Sequence, residues 1–170
     1  MIALMPPTLD AGADTGAAPP ALAAALASYA EDRSRYDDLL EVLAGSRLIV
    51  PVLEVPDGAT TGEETTADTC GNHDQALAAA VIRRGDGMLG LVAFTSVEAL
   101  ARWRADARPM PMPTQEAAQA AVHEQAQALV IDVAGPTRVV VQGEDLLGLA
   151  AGWRLVRVGE RSGWIRTPAG

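Results

Sequence analysis

Lysine is absent from this chain: all 13 of its basic residues are arginine. With so much Ala, Gly and Pro, that absence points to a GC-rich coding bias, a clue to source and not to mechanism. Aromatic residues make up only 4% of the chain, so a core has to be assembled from Leu, Val, Ile and Ala, which the 49% of apolar residues can supply. A single cysteine, Cys70, excludes an internal disulfide and suits a reducing compartment. No run of 18 or more apolar residues occurs, so no stretch reads as a membrane span. The opening MIALMPPTLDAG has no basic n-region and too short an apolar stretch, and reads as a tail, not a signal peptide. A net charge of −9 repels a phosphate backbone and disfavours nucleic acid as a partner. These absences lead to the expectation of a cytoplasmic protein of one domain, 170 residues long, bound neither to a membrane nor to nucleic acid.

What is present is organised around 88–112, MLGLVAFTSVEALARWRADARPMPM. Met88 to Phe94 is an apolar run of strand length. Thr95 and Glu98 have capping-box spacing and predict the start of a helix. Val97, Leu100 and Trp103 fall on one face of it, with Trp103 as the expected core anchor, while Glu98, Arg102 and Arg104 point away. Pro109, Pro111 and Pro113 then forbid helix and favour an extended segment that sets Met110 and Met112 on one side.

The rest of the chain falls into place around that stretch. Residues 1–20 read as a flexible tail holding Pro6, Pro7, Pro19 and Pro20. A short Ala-rich helix follows from Ala21, with Pro20 as its first residue. Ser34 is the expected cap of a second helix whose stripe is Tyr36, Leu39, Leu40 and Leu43, stopped by Gly45. Ser46–Val55 predicts a strand with Pro51 at an edge or bulge. Residues 56–72 read as an acidic, Thr-rich mobile loop with Asp57, Glu63, Glu64 and Asp68. Leu77–Arg83 is expected to pair with Met88–Phe94 as a hairpin, turned by Arg84-Gly85-Asp86-Gly87. Thr114 is the expected cap of a helix, Leu129–Val133 and Val139–Val141 read as strands, and Gly143 opens a last short helix, Glu144–Ala150. Residues 153–170 form a tail or small hairpin, locally basic through Arg154, Arg157, Arg161 and Arg166, with Trp164 in a frayed end. The fold class expected is α+β: one domain over residues 21–152, a mixed sheet of about five strands, and helices mainly on one face.

The pieces LLEVLAGSRLIVPV, GLVAFTSVEALARW, RPMPM, ALVIDVAGP and RVVV, between Leu39 and Gly152, resemble the SseB family in its actinobacterial form. Ala93–Trp103, AFTSVEALARW, is the most specific of them. The resemblance implies an α+β domain with a mixed sheet and brings no established catalytic residues.

No residue set converges on a reaction. Cys70 and His73 have the spacing of half a zinc site that Asp74 and His123 could complete, but a second close Cys/His pair is missing. Cys70 as a nucleophile with His73 as base lacks a visible oxyanion donor pair. Glu63, Glu64 and Asp68 do not follow the EF-hand pattern. Gly85, Gly87 and Gly90 lead into no phosphate-cradling helix and no lysine follows. No G-x-S-x-G elbow is present. The expected function is therefore non-enzymatic, a protein-interaction or regulatory module without a cofactor. Its expected partner is another protein, with self-association left open, and the contact residues are Met110, Pro111 and Met112, since Met adapts to varied surfaces. The alternative is a small-molecule or metal site in the loop of Cys70 and His73, with His123.

Overall fold

The computed structural model describes residues 16–54 and 77–166; residues 1–15, 55–76 and 167–170, and with them the expected acidic loop 56–72 and Cys70, His73 and Asp74, lie outside the described residues. In chain order the elements are α1 (Pro20–Glu31), α2 (Tyr36–Ala44), β1 (Arg47–Glu54), β2 (Leu77–Ala79), β3 (Val81–Arg83) and β4 (Leu89–Ala93). There follow α3 (Val97–Trp103), β5 (Arg108–Pro113), α4 (Thr114–His123), β6 (Ala128–Ile131), β7 (Val139–Gln142), α5 (Glu144–Ala150), β8 (Arg154–Val158) and β9 (Arg161–Ile165). The local causes are those expected at Pro20, the first residue of α1, and at Gly45, which ends α2. At the β3–β4 turn Gly87 adopts φ +90°, a backbone that favours glycine, and the Arg84 N–H donates to the Met88 carbonyl at 2.8 Å.

The sheet is mixed, as expected. Strands run in the order β3-β4-β6-β7, with β4 parallel to β6 and the other neighbours antiparallel. β1 lies between β2 and β5, antiparallel to both. The two groups join where Ile49 and Phe94 exchange N–H···O bonds of 2.7 and 2.8 Å. They join again at Ala80, between β2 and β3: its N–H donates to the Pro51 carbonyl at 3.3 Å and its carbonyl accepts the Val92 N–H at 3.0 Å.

Ala80 explains two departures from expectation. Pro51 sits in an interior strand and not at an edge. It is tolerated because the carbonyl it faces, which it has no N–H to satisfy, is taken by Val92. At that same point the chain changes partners, so only β3 pairs with β4 while β2 pairs with β1. The expected hairpin of Leu77–Arg83 on Met88–Phe94 is thus cut to its second half.

Helices cover mainly one face. There Leu22 of α1, Leu39, Leu40 and Leu43 of α2, Ala117, Ala118 and Ala121 of α4, and Leu146 and Leu149 of α5 bury against Leu48, Val50, Leu91, Leu129, Ile131 and Val141 of the sheet. Each fully buried Leu contributes about 1.5–3 kcal/mol, and the three alanines let α4 approach the strands closely. Among the described elements the opposite face carries only α3, whose Leu100 is buried with Ile49, Val92, Phe94 and Ala107. Trp103 is half-buried there, its ring 5.5 Å from that of Phe94, while Val97 is 38% exposed and so does not complete the expected stripe.

The caps shift by small steps. Ser96, not Thr95, caps α3, its hydroxyl accepting the Ala99 N–H at 3.1 Å, and Glu98 turns to Arg102. Asp32, not Ser34, caps the short 3-10 turn before α2, accepting the Ser34 N–H. Thr114 makes no cap bond; its hydroxyl donates to the Ser46 carbonyl at 2.9 Å.

The C-terminal segment folds as an antiparallel ribbon of β8 and β9, turned at Gly159 with φ +65°. Leu155 and Trp164 stand opposite each other and pack on the main core. Trp164 is not frayed: its Nε1–H donates to Asp145 Oδ1 at 2.9 Å and its ring covers Gly148, where a Cβ would collide with it. Arg157 donates to Asp38 at 2.9 Å and the Ser162 hydroxyl to Asp37, fastening the ribbon to α2.

Candidate functional site

The alternating Pro-Met-Pro-Met-Pro of β5 is resolved by register. Met112 faces Leu48, Met110 faces Val50, and the prolines at 109, 111 and 113 face Pro51, Ile49 and Arg47. In an antiparallel pair alternate residues exchange both hydrogen bonds, so the prolines occupy the positions that turn away from the neighbour. The geometry agrees, since Ile49 spends its N–H and carbonyl on Phe94. No β-strand among the described residues pairs with the outer side of β5. That outer edge therefore offers carbonyls at Pro109 and Pro111 and no N–H, which blocks regular strand addition.

The side chains of β5 divide between the two faces of the sheet. Met110 and Met112 share the helix-covered face with Val50 and Leu48. Met112 is half-buried against the main core, whereas Met110 is 39% exposed at its rim. Pro111 is exposed on the opposite face. Met110, Pro111 and Met112 carry no acid or base, and they offer a partner apolar contact beside the outward carbonyls of Pro109 and Pro111. Of the alternative metal set only His123 is described; it is exposed at the last residue of α4. Among the described residues no group of three or more His, Cys, Asp or Glu could hold a metal ion.

A polar pair that sequence reasoning did not single out lies at the other end of the sheet. Asp132, just past β6, is buried in a left-handed backbone of φ +53°, and Thr95, just past β4, is buried beside it. The Thr95 N–H donates to Asp132 Oδ1 at 2.9 Å and the Thr95 hydroxyl to Oδ2 at 2.7 Å. Burial pushes the Asp132 carboxyl above the ordinary carboxylate range, and the two bonds from Thr95 pull the other way. Arg47 extends the assembly, donating to the Thr95 carbonyl at 3.4 Å and to the Ala17 carbonyl at 2.7 Å. A lone Asp ending the apolar run ALVI ahead of a Gly-Pro turn was the available signal. The pair clamps the ends of two parallel strands and aims α3; it presents no second acid or base to a substrate.

Among the described residues no helix is long and apolar enough to cross a membrane. No curated protein and no solved structure matches the chain. The family model described as the SseB protein N-terminal domain matches residues 22–147, from the first buried leucine of α1 into α5 and including both β5 and the Thr95–Asp132 clamp. That span is well over half of the chain, which therefore belongs to the SseB family.

Proposed function

We propose that this chain is a non-enzymatic protein-interaction or regulatory module, working in the cytoplasm, that receives another protein on the β5 edge through Met110, Pro111 and Met112. The observation that carries the reading is the pairing of a 39%-exposed Met110 with an outer edge stripped of N–H donors. An adaptable thioether at a rim gives apolar contact area. The donor-free edge excludes indiscriminate strand pairing, so a partner is selected by its side chains.

Binding of a partner purified from the native cell tests this, comparing wild type with Met110→Asp and Leu147→Asp. Leu147 is also exposed, at 54%, but lies on α5. A charge placed in the centre of an interface weakens binding by about tenfold or more. The reading expects that loss for Met110→Asp alone. Equal binding by all three proteins, or turnover of a metabolite untouched by either change, contradicts it.

A further inference from the structure

The ribbon of β8 and β9 begins beyond the family-matched residues and carries a face that no described element covers. Its register sets Arg154 opposite Ile165, Val156 opposite Gly163 and Val158 opposite Arg161. Strand alternation puts these six on the side away from Leu155 and Trp164. Val158 is 77% exposed and Ile165 48%. A Cβ at Gly163 would meet nothing within 4 Å, so the ribbon is open and flat above Val156. The ribbon is also held in place, because its inner face is bonded to Asp37, Asp38 and Asp145.

Charge says what fits there. Arg154, Arg157, Arg161 and Arg166 belong to a stretch with one acid, Glu160, in a chain of net charge −9. Arg157 is spent on Asp38, and Arg166 lies over the Trp153 ring at 5.8 Å. Arg154 and Arg161, at opposite corners of the outer face, have no acidic partner among the described residues. We infer that this face docks an acidic segment of another protein, apolar at its middle and carboxylate at both ends. Four residues of strand separate the two arginines along the ribbon, about 13 Å. The matching carboxylates are therefore about four residues apart in an extended segment or about nine apart in a helix. A phosphate-rich membrane or nucleic acid is disfavoured by the acidic remainder of the chain. The inference rests on the protein-interaction reading but uses a surface apart from Met110.

The test selects peptides from a random displayed library on the wild-type protein, then titrates a labelled selected peptide against variants whose fold is verified by circular dichroism. The selected peptides are expected to carry Asp or Glu on both sides of an apolar residue. Arg154→Glu/Arg161→Glu and Val158→Asp should each weaken the peptide about tenfold or more, and added salt should weaken it too. Met110→Asp should leave it unchanged, and a peptide with Lys in place of its acids should bind the double-Glu protein. Selected peptides without acids, or equal affinity for the double-Glu protein, overturn the inference. So does wild-type binding to phosphatidylserine vesicles or to single-stranded DNA that the double-Glu change abolishes, or a dimer that it dissociates. Loss with Met110→Asp alone moves the contact to β5 and overturns this inference while leaving the broader reading in place.

Discussion

Thr95 donates both its backbone N–H and its hydroxyl to the carboxylate of Asp132, at 2.9 and 2.7 Å, across the ends of two parallel strands. Removing the acceptor strands a buried N–H and a buried hydroxyl, each costing about 1–3 kcal/mol. Asp132→Ala would also have to hold a left-handed backbone. Denaturant unfolding should show a loss of about 2–4 kcal/mol for Asp132→Ala and clearly less for Asp132→Asn, which keeps an acceptor and tolerates φ +53°. Equal losses would mean that the pair does not clamp the strands.

The same carboxyl makes a pH prediction. Burial raises its pKa in the folded state above the ordinary 3.8. The folded protein then binds more protons than the unfolded one between those two values, so stability falls as pH rises through that window. The contribution of Asp132 is most favourable below the unfolded pKa and is lost above the folded one. Relative to Asp132→Asn, the wild type should therefore lose stability as pH is raised from the acid side. A difference that grows in favour of wild type over that range would reverse the assignment.

Gly148 and Trp164 predict a packing defect. A methyl on Gly148 would run into the rigid indole ring, not the end of a flexible chain. Gly148→Ala should cost about 1–3 kcal/mol despite the better helix propensity of alanine, and should shift indole emission to the red. Trp103→Ala and Trp164→Ala should each cost about 2–3 kcal/mol, since both rings are half-buried. A Trp164→Ala protein that melts like wild type would show that the ribbon does not seal α5.

Pro109 and Pro111 predict an association phenotype. Replacing both with Val restores N–H donors along the outer edge of β5 and makes it competent for pairing. Light scattering should detect concentration-dependent association of Pro109→Val/Pro111→Val beyond that of wild type. No difference would mean that the prolines do not guard the edge.

Much of the fold was legible because local and tertiary preferences agree. The Leu39–Leu40–Leu43 stripe with Gly45, the apolar strand before Thr95 and the proline-spaced β5 are each specified by neighbours in sequence. Three of the misreadings share one cause, a partner distant along the chain. Thr95 has the spacing of a cap, but Asp132, 37 residues away, takes its hydroxyl. Pro51 looks like an edge or bulge residue because the N–H that takes the Ala80 carbonyl in its place comes from Val92. Trp164 looks frayed because its seat is a glycine in a different element. Of the candidate site, the position of Met110 and Met112 on a donor-poor strand was legible. That Met112 enters the core while Met110 stays at its rim depends on the register with β1 and was not.

The central claim, that the β5 edge receives a protein, is tested most directly by photo-crosslinking with a benzophenone amino acid at position 110, and at position 147 as the control, in the native cell. The account predicts one discrete crosslinked partner from position 110, absent from 147 and suppressed by an added Pro111→Asp change. Crosslinks of equal yield and identity from both positions, or none from 110, would contradict it.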